Sequence, residues 1–269
     1  MSVQRIIEAL ALPESTHVKQ RVPKTLLNEQ AAATAADRRT IKEGIEVLWW
    51  RASLKPTNIG VPAFADDRRE YLEIAVLHLT TRDAAAKGAR LARLIELLHR
   101  AIPYPVLLLV ESEVTLLSLA HKRWAQNEKD RMVLEEGYPH TTAIFDATTN
   151  DTLDAFWTDL SLDNQPQANL FTLYQGWLAC LLALDAWRET GQYRSPRNID
   201  HLPRQRQCLH QARELAEETQ RLRKQAAKER QMARQVELNL QIKTLEAERA
   251  ALLDELTRSR EEREGIQYE

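Results

Sequence analysis

Glycine is scarce in this chain, with 7 residues in 269. That scarcity argues against an all-β fold rich in tight turns and against glycine-rich phosphate loops. No phosphate-cradling loop, dinucleotide fingerprint, nucleophile elbow or paired-histidine zinc helix occurs. The 2 cysteines, Cys180 and Cys208, fit a reducing compartment and form no redox or metal pair. No export signal is read in the first residues, and the longest apolar run, Val106 to Val110, is strand-sized rather than membrane-sized. A cytoplasmic protein without a membrane segment is expected. A net charge of -2 gives no bulk electrostatic preference for nucleic acid over protein.

What is present is hydrophobic periodicity. Val3 to Leu12 reads as a short amphipathic helix ended by Pro13. Ile41, Ile45, Leu48 and Trp49 recur at helical spacing and predict a helix from Ala35 to Leu54. Glu70 to Thr81 reads as a strand, Ala84 to Ile102 as a helix, and Val106 to Glu111 as a fully apolar strand. Pro103 and Pro105 separate that helix from that strand. Val114 to Lys122 and Thr141 to Ala147 read as further strands. The order β-α-β-β-β predicts an α/β (α+β) fold: a small, mainly antiparallel sheet packed with helices. Two helices follow, Thr152 to Leu162 and Ala168 to Glu189. Residues 1–190 form the expected globular domain, and 191–203, holding Gly191, Pro196 and Pro203, the linker.

Residues 204–264 read as one long coiled-coil-like helix, on the order of 90 Å at about 1.5 Å per residue, because strong helix formers fill it. A first seam runs Cys208, Ala212, Leu215, Thr219, Leu222, Ala226, Glu229, Ala233, Val236, Leu240. After a register shift a second runs Leu238, Ile242, Leu245, Arg249, Leu252, Leu256. Arg221, Lys224 and Lys228 fall on one flank of the first seam, and Arg223, Arg230 and Arg234 on the other. An acidic partner helix suits these flanks, with Leu222, Arg223, Arg230, Arg234, Val236, Leu238, Ile242, Leu245, Leu252 and Leu256 as the contact residues. A solvated charged helix and a phosphate-tracking stripe are the alternatives.

Chemistry is sparse. The seven histidines are scattered without metal-ligand spacing. A metal-dependent nuclease would need carboxylates and a lysine converging at strand ends, and Glu73, Glu111 and Lys122 are the residues to watch. Ala120 stands where the acid-x-lysine element needs its carboxylate. A ligand pocket from Lys24, Trp49, Glu73, Glu111 and Lys122 is the other possibility. No cofactor or metal is implied.

Val22-Pro23-Lys24, Ile45 to Trp49, Leu54 to Pro62, Glu73-Ile74-Ala75-Val76, Ala101 to Leu108, Leu119-Ala120-His121-Lys122 and Lys228 to Asn239 together resemble a bacterial family known as domain of unknown function four-three-nine-one. The resemblance implies an α/β body with a helical tail, and genes placed beside helicase and DNA-methyltransferase genes in defence or restriction clusters. The family has no established catalytic residues to carry over. The implied role is an accessory subunit of an anti-phage or restriction-like assembly, meeting a helicase or another subunit, associating with itself, and reaching DNA through the complex. A nuclease and a DNA-binding adaptor are the alternatives.

Overall fold

The computed structural model describes residues 3–31, 33–82, 87–125, 132–135, 139–144, 153–196 and 199–257. The chain divides into two units, residues 1–181 and 182–269.

The first unit is built on strands β1 (His17–Arg21), β2 (Ile45–Leu54), β5 (Ile74–Thr81), β6 (Val106–Glu111), β7 (Thr115–Leu119) and β10 (His140–Ile144). They form one sheet in the order β1-β2-β5-β6-β7-β10. Every pairing in it is antiparallel except β5 with β6. That parallel pair is joined by helix α5 (Gly88–Ala101), as a parallel connection requires. Two small hairpins lie outside the sheet: β3 (Phe64–Ala65) with β4 (Glu70–Tyr71), and β8 (Lys122–Trp124) with β9 (Met132–Leu134). The α/β class and the mainly antiparallel sheet agree with the sequence pattern, and β1 and β2 widen it.

One face of the sheet meets α5, α2 (Lys24–Ala31) and α3 (Ala35–Gly44). Leu91, Leu94 and Leu98 present the i, i+3, i+7 stripe of α5 to Leu48, Leu77, Leu79, Leu108 and Val110. Each such leucine contributes roughly 1.5–3 kcal/mol on burial. The alternate β6 residues Leu107 and Leu109 are equally buried, so β6 is covered on both sides, which explains its unbroken apolar run. Helix α1 (Val3–Ala9) contacts both β6 and α6 (Asp154–Asp159). After β2, the single turn α4 (Pro56–Ile59) closes on Gly60, which takes φ 71°.

The expected helix over Ala35 to Leu54 is half right. Helix α3 ends at Gly44, and Ile45 onward is strand β2. Thr34 caps α3 by accepting the Asp37 backbone N–H at 3.1 Å. Beyond Gly44 the β-branched and aromatic density of Ile45, Val47, Trp49 and Trp50 favours a pleated surface, and the helical spacing from Ile41 is coincidental. The single strand expected over Val114 to Lys122 also splits. Ala120 and His121 interrupt it, and Lys122 pairs with Leu134 in the separate β8–β9 hairpin. The expected element ends at Ala84, Ala147 and Thr152 lie outside the described residues, as do residues 258–264 of the tail.

At the outer edge, β1 exposes all five residues. Lys19 there takes φ 51°, and the register slips between His17 and Gln20.

Helix α7 (Leu170–Thr190) is long and apolar enough to cross a membrane by length and composition, and most of its apolar stretch is buried inside the protein. Its buried Tyr174 hydroxyl donates to the Val106 carbonyl at 2.7 Å and accepts the Ala120 N–H at 2.8 Å. Trp177 Nε1 donates to the Leu160 carbonyl at 2.9 Å. Gly176 lets the Gln165–Pro166 segment come close: a Cβ there would sit 2.4 Å from Gln165 Oε1 and 2.6 Å from Pro166 Cδ. Gln165 cannot yield easily, because its amide donates to the Asp159 and Ser161 carbonyls. Gly176→Ala is therefore expected to destabilise by about 1–3 kcal/mol, read as a lower midpoint in urea denaturation.

The second unit contains α8 (Leu202–Ala226) and α9 (Met232–Thr257), packed antiparallel. The single continuous rod expected over residues 204–264 is thus corrected to a helical hairpin turning at residues 227–231.

Candidate functional site

The structure does not gather Lys24, Trp49, Glu73, Glu111 and Lys122 into one pocket. Glu73 precedes β5, where it accepts Ser53 Oγ at 2.5 Å and faces Lys55 Nζ at 3.3 Å. Glu111 is level with Thr80 at the other end of β5. Seven residues of strand put the two carboxylates on the order of 20 Å apart. Lys122 is buried, its Nζ donating to the Ile102 carbonyl. Burial pushes this lysine down to about 7. The convergence a metal-dependent nuclease would need is not formed by these three. Among the described residues, no group of three or more His, Cys, Asp or Glu side chains is placed to hold a metal ion. His121 is equally committed, sharing a 2.6 Å hydrogen bond with the Tyr71 hydroxyl inside a cluster with Phe171 and Tyr174.

Trp49 belongs instead to a row across the sheet. Arg21, Trp49 and His78 are register partners on β1, β2 and β5. The Arg51 guanidinium lies 5.7 Å from the Trp49 ring centroid and its Nη2 is 2.9 Å from His78 Nδ1. Arginine only donates, so Nδ1 is the acceptor and the ring proton sits on Nε2, 3.1 Å from Glu111 Oε2. Burial, then the Arg51 charge, holds His78 below the ordinary histidine range. Thr80 Oγ1 also donates to Glu111, at 3.2 Å. With both ring nitrogens engaged, His78 orients Arg51 rather than acting as a free base. Sequence reasoning misses this row, because the helical spacing of Ile41 to Trp49 masks the period-2 face of β2.

A cleft of 880 Å³ opens beside α2, β2, α5 and the β8–β9 hairpin, with Trp50, Tyr104 and Trp124 in its walls and Leu26 and Leu72 exposed beside them. Trp50 and Tyr104 meet edge to face at 6.5 Å and 63°. Its arginines are neutralised: Arg93 holds Asp37 at 2.9 and 3.0 Å and Glu96 at 2.9 Å, and Arg100 holds Glu96 at 2.6 Å. The Arg93 fork keeps the Asp37 carboxyl below the usual range. Such walls suit an apolar occupant.

In the second unit the residues expected to meet a partner mostly meet each other. Leu222, Ala226 and Ile242 are buried together, with Leu238 and Leu245 packed against them. Arg223 reaches Glu246 across the hairpin at 2.5 Å, and Arg204 reaches Glu255 at 2.7 and 2.8 Å. Arg234 lies 3.6 Å from Glu229, Arg230 is exposed, and Leu252 and Leu256 are half-buried. The second seam is the hairpin seam, because folding back buries it against the alanine-thinned first stripe, and a lone rod would leave both in water. Glu229, read as a seam position, instead accepts the backbone N–H groups of Arg230 and Gln231 at 2.8 and 2.9 Å and opens α9. What remains exposed is the end of the first seam, Val236 at 56% and Leu240 at 62%, with Met232 at 77% one turn before them. At about 100° per residue these lie on the side of α9 away from Leu238, Ile242 and Leu245.

By fold this is a mixed α/β protein: a sheet domain with tied-off polar rows and an apolar cleft, plus a helical hairpin with an uncovered apolar stripe. The chain belongs to the family named domain of unknown function, DUF4391, whose sequence profile matches residues 10–248. No curated protein and no solved structure matches it.

Proposed function

We propose that this protein is a non-catalytic accessory subunit of a bacterial anti-phage defence or restriction-like assembly, docking a helicase or another DNA-processing subunit through its C-terminal hairpin. The observation that carries the reading is the Met232, Val236, Leu240 stripe. Large apolar side chains repeating every four residues on one helix face are the anchors of helix-in-groove recognition. Of the expected contact set, Leu222, Leu238, Ile242 and Leu245 pack within the hairpin, Arg223 pairs across it, and Val236 stays on the docking face.

Co-expression with the products of the neighbouring genes tests this. The tagged chain is expected to retain one of them, and the double substitution Val236→Asp with Leu240→Asp to release it while the melting temperature holds. Unchanged retention in that variant would sink the assignment of the face. DNA cleavage in Mg²⁺ or Mn²⁺ that vanishes in Glu111→Ala would replace the whole reading with an enzymatic one.

A further inference from the structure

Four segments meet where α3 ends and β2 begins. Strand β1 delivers Arg21, and the next residue's N–H bonds the Leu48 carbonyl at 2.9 Å. Lys24 then opens α2 and sends its Nζ to the carbonyls of Ile45 and Lys42, the latter at 3.3 Å. These are carbonyls at the C-terminal end of α3, so the ammonium is anchored there. Arg82 follows β5, its N–H bonding the Gly44 carbonyl at 2.9 Å. A recess of 330 Å³ opens at this junction, with Arg21, Pro23, Lys24, Glu46 and Val47 among its walls.

Arg21 and Lys24 line this recess, and Arg82 joins the same junction through Gly44, the residue before the wall residue Ile45. Arg21 and Arg82 are exposed, and no ion pair involves Arg21, Lys24 or Arg82 among the described residues. Burial first, and then the charges of Arg82 and Arg21, lower the Lys24 pKa. Glu46 is the one carboxylate in the described walls, and it forms no ion pair with them. Other arginines on this chain are matched to acids, among them Arg93 to Asp37 and Arg69 to Glu135 at 3.0 Å. Like charges held together disfavour one another unless an anion is shared between them. Beside the recess, Trp49 is the register partner of Arg21, half-buried and carrying Arg51 near its ring. A ring of that kind can stack on a base.

We propose that Arg21, Lys24 and Arg82 form a binding site for a phosphate group, either the phosphodiester of a single-stranded nucleic acid, with a base on Trp49, or a free phosphate. The site lies on the sheet domain and does not depend on the docking role of the hairpin.

Fluorescence anisotropy of a labelled single-stranded 20-mer DNA, and calorimetric titration with inorganic phosphate, separate the two sources. The full-length chain is expected to bind the DNA with affinity falling as salt rises. Arg21→Gln with Arg82→Gln is expected to weaken binding at least tenfold at 100 mM salt. Removing two positive charges from the phosphate path shrinks the slope of log affinity against log salt by about 1.4. Both residues are exposed, so an unchanged melting temperature confirms that the variant is folded. Phosphate binding that the same variant abolishes, without DNA binding, supports the site with the free anion as its ligand. Val236→Asp with Leu240→Asp is expected to bind as the parent does. The proposal is overturned if neither ligand binds, or if the Arg21/Arg82 variant binds as the parent. It is also overturned if replacing Arg221, Lys224 and Lys228 by glutamine removes binding that the Arg21/Arg82 variant keeps.

Discussion

Lys122→Met is expected to flatten the rise of folding stability between pH 7 and pH 10. Lys122 is 2% exposed on β8 and its Nζ donates to the Ile102 carbonyl. Burial lowers its pKa from 10.5 to about 7. Between those values the unfolded chain binds a proton that the folded chain does not, so stability climbs with pH across the window. Below pH 7 both states carry the charge, and the folded state bears the full cost of a buried ammonium. At 1.36 kcal/mol per pH unit the window amounts to something on the order of 5 kcal/mol. Urea midpoints of parent and variant from pH 6 to pH 10 measure it. A variant that keeps the parent's slope would show that the lysine stays charged inside.

His99 supplies the matching behaviour in acid. It is fully buried and bonded through Nε2 to Ser118 Oγ at 3.0 Å, while its Nδ1 has no hydrogen-bond partner among the described residues. Burial, and then the charge of Lys122, push its pKa down to about 3. Its contribution is intact above pH 6.5 and lost as pH falls toward 3, because only the unfolded ring takes up the proton. The Lys122→Met variant should keep most of this acid limb, since burial is the larger cause, which makes it an internal control.

The second large effect separates the two faces of α9. Ile242 is 8% exposed inside the hairpin and Leu240 is 62% exposed on the opposite side. Ile242→Asp puts an unpaired carboxylate among Leu222, Ala226, Leu238 and Leu245, and is expected to cost about 3–5 kcal/mol. Amide exchange should then accelerate across both α8 and α9. Leu240→Asp is expected to stay within about 0.5 kcal/mol of the parent. Equal protection in the two variants would mean that α8 and α9 do not pack through this seam.

How much of this is legible in the sequence depends on which physical signal each segment carries. The apolar run of β6, bracketed by Pro105 and Glu111, reads directly as a buried strand. The Leu91–Leu98 stripe of α5 is equally clear. The α3–β2 boundary is not, because Ile41, Ile45 and Leu48 satisfy a helical period while Ile45, Val47 and Trp49 satisfy a strand period. Gly44 is the available arbiter. In the tail, the composition announces helix, and the phase shift between Val236 and Leu238 marks two surfaces. The turn at Ala227 to Gln231 contains no glycine or proline, so local propensity says nothing of it; Glu229, the one charged member of the first seam, is its single trace. The candidate sites are hidden for another reason. His78, Arg51 and Glu111 come from three strands, as Arg21, Lys24 and Arg82 come from three segments, and only sheet register brings each set together.

The exposed border strand, with a lysine in a left-handed backbone conformation and a slipped register, has a consequence for crowding. Its outward amides and carbonyls are twisted out of the even spacing that another strand would need, and bringing two copies edge to edge would oppose their positive side chains. Concentrated solutions of this protein should therefore resist fibrous growth from that rim, leaving contacts between molecules to surfaces built from side chains.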